Sequence, residues 1–210
     1  QSEIEVKSEL GLPVNGITKE RLEQMFNQAC DYIDNKEMEE SERIFKNIFK
    51  LSIFYIATSE DDIDYITNLI LSCTEYLIMI KLNEKADKSK GDKFLYSQIC
   101  ILLSICKLRK PIHRFLMLRR AKIAAKNVKN YVTAIGLIQK MLSYEKDLQE
   151  YDDLGFDKLL QEYNTIKDKG NEKDYPFNIK ELENRKINDV LYAESLEFIN
   201  NKDKVYVCPL

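Results

Sequence analysis

His113 is the only imidazole in the chain, so it is the first residue to consider as an acid, a base or a metal ligand. It lies in the stretch KPIHRFLMLRRA (110–121), which combines apolar residues with four basic residues and no acid. Because no other histidine is present, a His-Cys or His-Asp constellation with a second His is not possible. A packed or capping histidine inside a helix is therefore favoured over a catalyst.

The five cysteines form an odd and irregular set without a C-x-x-C pair. Four of them, Cys30, Cys73, Cys100 and Cys106, lie among apolar residues of predicted helices. This pattern is typical of reduced packing residues in a cytosolic protein, although disulfides stay open as an alternative. Cys208 differs because it precedes Pro209 at the end of the chain, and the sequence does not decide whether it binds a metal or only packs.

The acidic clusters EMEESE and SEDDID lie at predicted helix starts, where carboxylates complement the positive end of the helix dipole. They lack the spacing and the central glycine of a calcium-binding EF-hand loop. The chain also has no glycine-rich phosphate loop, nucleophile elbow or ladder of zinc ligands. We therefore predict a protein that is not an enzyme, with no catalytic, cofactor-binding or metal-binding residues and no cofactor.

Composition favours a helical protein of moderate size. The chain has 210 residues, 44% hydrophobic and 32% charged, with only six Gly and four Pro. It is long enough to bury a core, and it has neither the composition of a disordered protein nor that of a Gly- and Pro-rich β protein. The uninterrupted apolar runs are shorter than the ~20 residues of a membrane span, and the N-terminus lacks the apolar region of a signal peptide.

Charge is distributed unevenly along the chain. From Lys93 to Tyr144 there is no Asp or Glu, whereas eleven of the 32 Lys and Arg residues lie there. Such a basic centre could bind an anionic partner, namely lipid headgroups or RNA. It could equally pair with acidic helices on either side, and this second interpretation is favoured.

Apolar residues at helical spacing predict seven amphipathic helices. We expect them near 18–34, 38–56, 59–82, 93–107, 111–127, 130–142 and 154–169, with Gly170 after the last one. Thr18 and Ser59 are the expected N-caps of the first and third helices. Two β-prone runs, 196–199 and 204–207, predict a hairpin in the tail.

Two of these helices resemble each other at a separation of 93 residues. A shift of this size places Ser41 on Ala134 and Phe45 on Ile138, and a corner with Lys and Asn precedes both helices. This predicts stacked antiparallel helical hairpins of the tetratricopeptide kind. The predicted organisation is an extended segment at 1–17, a helical-hairpin array at 18–170 and a mixed tail at 171–210 with the β-hairpin.

Four stretches in order resemble the C-terminal domain of the coatomer alpha subunit (alpha-COP) family. They are ITKERLEQMFNQACDYIDNKEMEESERIFKNIF, ITNLILSCTEYLIMIKL, KPIHRFLMLRRAKIAAKNVKNYVTAIGLIQKML and the closing VYVCPL. The residues matching the family's motifs are Ile70, Cys73, Glu75, Tyr76, Pro111, His113, Leu116, Leu118, Arg119, Ala121, Lys129, Asn130, Thr133, Ala134 and Leu142.

This resemblance implies a non-enzymatic subunit domain of the COPI vesicle coat. It implies assembly with the coatomer epsilon subunit and other coatomer subunits, for Golgi-to-ER and intra-Golgi transport. It also implies a cytoplasmic location, peripheral on Golgi membranes and COPI vesicles through the whole coat, with neither nucleic acid nor a small-molecule substrate as partner. The partner-binding residues are unknown at this point, since the resemblance does not place the epsilon contacts.

Arg119 is an unusual residue in the basic stretch. At 100° per residue it shares a helix face with Ile112, Phe115, Leu116 and Ile123, whereas Arg114, Lys122 and Lys126 lie off that face. An unpaired buried guanidinium would be very costly. We therefore predict that Arg119 is buried and paired, with an acid from a flanking layer or with carbonyls at a helix end.

Overall fold

The computed structural model describes residues 5–7, 13–15, 17–151 and 154–170. Two short strands, β1 (Glu5–Lys7) and β2 (Pro13–Asn15), pair antiparallel and lie within the segment predicted to be extended. The described residues are otherwise mainly helical, which confirms the predicted class. The predicted tail hairpin and Cys208 lie outside the described residues. The predicted division at residues 17 and 170 stays a prediction.

Seven helices follow in the described part of the chain. They are α1 (Lys19–Asp34), α2 (Met38–Ser52), α3 (Glu60–Lys88), α4 (Lys93–Leu103), α5 (Pro111–Asn127), α6 (Tyr131–Ser143) and α7 (Phe156–Ile166).

Several of these helices have N-cap side chains at the positions that the sequence predicts. The hydroxyl of Thr18 accepts a hydrogen bond from Arg21 N at 3.2 Å, and Ser59 Oγ accepts one from Asp62 N at 3.2 Å. Asn130 likewise accepts from Thr133 N at 3.2 Å. The predicted C-terminal role of Gly170 is wrong, because α7 ends at Ile166 with Lys167 as its C-cap. Among the described glycines, Gly155 has a positive φ, 74°, and it precedes α7.

Two helix ends differ from the prediction for identifiable reasons. Helix α3 continues past Leu82 to Lys88, because Asn83 and Ala86 are buried on its packed face although their surroundings in the sequence are polar. Helix α4 ends at Leu103 rather than near Lys107. The Lys107 N–H donates instead to the Glu75 carboxylate at 2.9 Å, which takes it out of the helical hydrogen-bond pattern.

The chain divides into two compact units. The first comprises Gln1–Asp87 with Cys106–Arg114. Its core is aromatic: the rings of Phe26 and Phe45 have centroids 5.6 Å apart, and both contact Tyr76, at 5.6 and 5.0 Å. Helices α1 and α2 pack closely where the Ser41 hydroxyl donates to the Ala29 carbonyl at 2.9 Å.

The second unit comprises Lys88–Ile105 with Phe115–Leu210. The last turns of α4 are buried all round, since every residue from Ile99 to Leu103 is buried, as its apolar sequence predicts. Helices α6 and α7 contribute aliphatic residues to this core: Leu137, Ile138, Met141, Leu159 and Ile166.

Helix α3 is the one helix, among the residues described, that is long and apolar enough to span a membrane by length and composition. A buried core helix passes the same test. The two charged residues in its apolar part are engaged in the first unit, Glu75 by the Lys107 N–H and Lys81 by Glu42 at 3.1 Å. The side chains of α3 that are buried belong to the core of that unit, and 28% of its most apolar 18-residue stretch is buried.

Candidate functional site

His113 lies in a buried chain of hydrogen bonds. Its Nε2 is 2.8 Å from Asp34 Oδ1, and its Nδ1 is 2.9 Å from the Tyr76 hydroxyl. The same hydroxyl accepts the Lys110 N–H at 3.2 Å. Because Tyr76 accepts there, its own proton is available to Nδ1, and the neutral ring then donates its Nε2–H to Asp34.

Asp, His and Tyr are residue types that can form an acid–base relay, but here the His and Tyr side chains are not accessible to a substrate. His113 is 1% exposed and Tyr76 is fully buried. Burial lowers the pKa of His113, against the opposing effect of Asp34, and burial also raises the pKa of the Tyr76 phenol. A general acid or base must reach a substrate proton, and here both proton-carrying groups face protein. The network therefore joins α1, α3 and the start of α5, as the predicted packing role of His113 requires.

Carboxylates of the first unit also bind the loop before α5. Arg109 lies 3.0 Å from Glu23 and over the Phe26 ring, 5.1 Å from its centroid. Lys110 lies 3.4 Å from Asp31. The cations of this loop thus meet acids of α1, which is the internal charge complementarity favoured by the sequence.

A second charge cluster lies wholly in the second unit. Glu162 of α7 accepts from Lys122 at 2.6 Å and also from Lys126, both on α5. Lys122 is 8% exposed. Burial alone raises the pKa of Glu162, but the two ammonium groups together hold that pKa below its ordinary value. Glu162 is therefore ionised at neutral pH and compensates the buried Lys122 charge.

The prediction for Arg119 is wrong, because its side chain is exposed. Leu116 and Ile123, assigned to the same buried face, are 40% and 49% exposed. The buried face of α5 instead carries Phe115, Leu118, Lys122 and three alanines, at positions 121, 124 and 125. Close helix packing selects small residues, whereas the prediction gives more weight to large ones. The buried, paired cation of this helix is Lys122.

The corners before α2 and α6 have the same backbone conformation. Lys36 and Lys129, 93 positions apart, are the described non-glycine residues with positive φ, at 65° and 63°. In both corners an N–H reaches back five residues, from Glu37 to Tyr32 at 2.8 Å and from Asn130 to Ala125 at 2.9 Å. This is the hydrogen-bond pattern of a Schellman helix end.

The small residues predicted at equivalent positions in the two hairpins, Ser41 and Ala134, are fully buried. Together with the matching corners, they confirm that the corner and the buried small residue after it recur 93 positions apart.

Four cysteines, Cys30, Cys73, Cys100 and Cys106, are buried thiols that form no disulfide, in agreement with the packing prediction. Burial raises the pKa of Cys30 to about 11 and that of Cys73 to about 12, so these thiols are unreactive at neutral pH. In the described ranges no group of three or more His, Cys, Asp or Glu side chains could hold a metal ion.

Sequence reasoning misses the corner between α2 and α3. Helical spacing predicts that Ile63 faces the core, but it is 55% exposed. Ile53, Phe54 and Ile56, just before it, are 72%, 58% and 43% exposed. The acidic cluster predicts only a helix start, whereas Asp62 also receives hydrogen bonds from this corner. The sequence does contain one signal for this corner: an aromatic residue, Phe54, lies just after the end of α2 and is followed by the acidic cluster SEDDID.

These features define the class of the protein. Among the described residues, His113, Tyr76 and Glu162 are engaged in internal contacts, the same corner precedes α2 and α6, and several large apolar side chains are exposed. These are features of helical proteins that act by assembly.

Over residues 2–154 the chain matches the family model for the C-terminus of the coatomer (COPI) alpha subunit, and it belongs to this family. The family is a structural component of the COPI vesicle coat rather than an enzyme family. None of the curated proteins compared with the chain matches it. Tyr76 and His113, two of the residues that carry the resemblance, are in direct contact.

Proposed function

We propose that the chain is an assembly domain of the COPI coat that binds the coatomer epsilon subunit and has no catalytic activity. The family match over residues 2–154 carries this proposal. The internal engagement of His113, Tyr76 and Glu162 supports a structural role, since His113 and Tyr76 are buried and hydrogen-bonded to each other and Glu162 is paired with lysines of α5. In the cell, the domain works on Golgi membranes and COPI vesicles as part of the whole coat, in Golgi-to-ER and intra-Golgi transport.

An anionic ligand for the basic centre has less support. Four of the eleven cations of that stretch, Arg109, Lys110, Lys122 and Lys126, already pair with carboxylates of α1 or α7. Charges used in this way contribute little to phosphate binding. The predicted stacking of the hairpins into a longer array belongs to the assembly proposal, because stacked repeats offer extended surfaces to protein partners.

The test is titration calorimetry of the whole chain against a purified coatomer epsilon subunit, with light scattering of the mixture. We expect a one-to-one complex, and the same chain should bind neither RNA nor liposomes that contain anionic lipid. If RNA or liposomes bind instead, with an affinity that falls steeply between about 50 and 200 mM salt, the domain is an anion-binding module. If the epsilon subunit does not bind, the proposed function is wrong.

A further inference from the structure

Four large apolar side chains are exposed at the connection between α2 and α3. They are Ile53, Phe54, Ile56 and Ile63, which we call the α2–α3 corner surface, and they are 72%, 58%, 43% and 55% exposed. They fall within eleven residues of the chain, whereas the other exposed large apolar residues described are spread over α3 to α7. Large apolar side chains exposed this close together in the chain are a candidate interaction site, since apolar patches on folded proteins commonly bind partners.

The backbone that presents these side chains is held in place by Asp62. Its carboxylate accepts hydrogen bonds from the Tyr55 hydroxyl at 3.0 Å and from both the N–H and the hydroxyl of Thr58, at 2.9 and 2.8 Å. The hydrogen bonds from Thr58 and Tyr55 lower the pKa of Asp62 to about 2, so the carboxylate stays ionised at neutral pH.

Neighbouring segments fix the same connection from another side. The Ile17 N–H donates to the Phe54 carbonyl at 3.4 Å, and the Tyr65 hydroxyl donates to the Lys19 carbonyl at 3.2 Å. The rings of Tyr55 and Tyr65 also lie 5.9 Å apart. The apolar side chains are therefore presented by an ordered loop. Binding to a preorganised surface avoids the entropic cost of ordering it.

The charges around the surface limit what can bind to it. Glu60, Asp61 and Asp64 are exposed, and Lys50 is the only Lys or Arg between positions 50 and 64. From outside this range Lys19 also reaches the corner, but its ammonium group lies over the Tyr65 ring, 4.5 Å from the centroid. Exposed carboxylates repel anionic lipid headgroups and nucleic acid, and they attract a protein surface that carries Lys or Arg. Apolar residues flanked by acids thus fit a protein partner whose apolar side chains are bordered by basic ones.

We propose that the α2–α3 corner surface is a docking surface for the partner subunit of the coat, which contacts it with apolar side chains bordered by Lys and Arg. This inference rests on the proposed function, because the partner is taken from it. Phe54 is the central contact, since exposed aromatic residues on rigid loops contribute most to such interfaces. The acids beside it accelerate association.

The experiment uses the whole chain and a purified epsilon subunit in titration calorimetry and stopped-flow kinetics. Ile53→Asp and Phe54→Ala should each raise Kd at least about tenfold. The matched control is Leu71→Asp, because Leu71 is also 55% exposed and lies on α3, away from the corner. It should leave Kd within about threefold. Circular dichroism should show the same helix content in all variants, since every changed side chain is exposed.

A second arm tests the charges. Asp61→Lys combined with Asp64→Lys should slow association about tenfold at low salt and flatten its salt dependence, with little effect on dissociation. If the unchanged chain binds and the Ile53 and Phe54 variants bind equally well, the docking surface is wrong while the proposed function stands. If the unchanged chain does not bind, the proposed function itself fails. A dimer that Ile53→Asp dissociates would assign the surface to a second copy and overturn the proposal.

Discussion

The α1–α2 and α5–α6 hairpins have the same backbone conformation at their corners but differ in the side chains that form their cores. Both turn through a left-handed Lys, Lys36 or Lys129, and both bury a small residue one turn into the second helix, Ser41 or Ala134. The first hairpin contributes Phe26 and Phe45 to a core of contacting aromatic rings. In the second hairpin α6 contributes the aliphatic residues Leu137, Ile138 and Met141, and α5 contributes Phe115, whose ring lies 5.4 Å from that of Phe156. The corner geometry is repeated, whereas the second hairpin fills its core mainly with aliphatic side chains.

Ionic roles are also exchanged between the two hairpins. In the first unit the acids Glu23 and Asp31 belong to α1, and the cations lie on the loop before α5. In the second unit the cations Lys122 and Lys126 belong to α5, and the acid Glu162 lies on α7. The first helix of such a hairpin can therefore carry either acids or cations, provided that a flanking segment supplies charges of the opposite sign.

The largest difference should appear in the cores. Phe45→Ala should lower the free energy of unfolding by about 4 kcal/mol and Ile138→Ala by about 3 kcal/mol. Both residues are fully buried, but Phe45 also loses its ring contacts with Phe26 and Tyr76. Urea denaturation followed by circular dichroism measures both values. Ile123→Ala, at a side chain that is 49% exposed, is the control. A larger cost for Ile138→Ala would contradict the proposed contribution of the aromatic contacts.

Loss of one partner should lower the free energy of unfolding more in the Tyr76–His113 network than in the Lys122–Glu162 cluster. Tyr76→Phe should cost about 1–3 kcal/mol, because His113 Nδ1 and the Lys110 N–H both lose their partner in a buried site. Lys122→Met should cost about 1 kcal/mol or less, because Glu162 keeps Lys126. The same urea titration gives both values. Equal costs would mean that the Tyr76 hydroxyl is no more important than a replaceable ion pair.

The two networks should lose stability in different pH windows. The folded-state pKa of His113 is below its ordinary 6.5, so the unfolded chain binds the proton more readily. The stability contributed by the neutral ring is complete above pH 6.5 and is lost as pH falls from there through the folded pKa. The folded-state pKa of Glu162 is below 4.5, so its contribution is complete above pH 4.5 and is lost as pH falls further.

Unfolding free energies measured from pH 7.5 to pH 3 test this separation. The decline that begins as pH falls below 6.5 should weaken in His113→Gln and persist in Glu162→Gln. The decline below pH 4.5 should weaken in Glu162→Gln. An unchanged profile for His113→Gln would show that His113 does not bind a proton in that window.

The smallest effect concerns the shared corner. Lys36→Gly and Lys129→Gly should each raise the free energy of unfolding by about 0.5–1 kcal/mol, because glycine adopts positive φ without strain. The two gains should be equal within about 0.5 kcal/mol and additive. Lys46→Gly in the middle of α2 should instead lower stability by about 1 kcal/mol. A gain at only one corner would show that the two corners are not equivalent.

The helices and the repeat could be predicted because they depend on local spacing. The cap at Thr18, the start of α5 at Pro111 and the small residue at Ser41 follow from propensity and periodicity. The end of α4 could not be predicted in this way, because it depends on a hydrogen bond from Lys107 N to Glu75, 32 residues earlier. Long-range partners of this kind leave no periodic signal.

Side-chain burial on α5 could not be predicted from periodicity either. Large apolar neighbours define a stripe that predicts a buried Arg119, but the buried face follows the alanines and includes Lys122. The corner surface escapes prediction for a related reason. Helical periodicity places Ile63 on a buried stripe, and only the tertiary structure shows that no described segment covers it.

Residue order alone was enough to predict a mainly helical chain, the recurrence of one corner 93 positions apart, its membership of a coat-protein family and the packing role of its single histidine. These properties are set by short-range spacing and by motifs that can be read directly along the chain. The fold decided that Tyr76 and Asp34 bind His113, that Lys122 rather than Arg119 is buried, and that Phe54 is exposed. These outcomes depend on contacts between segments far apart in the chain, where the cost of burying a charge or a polar group is determined by what lies opposite.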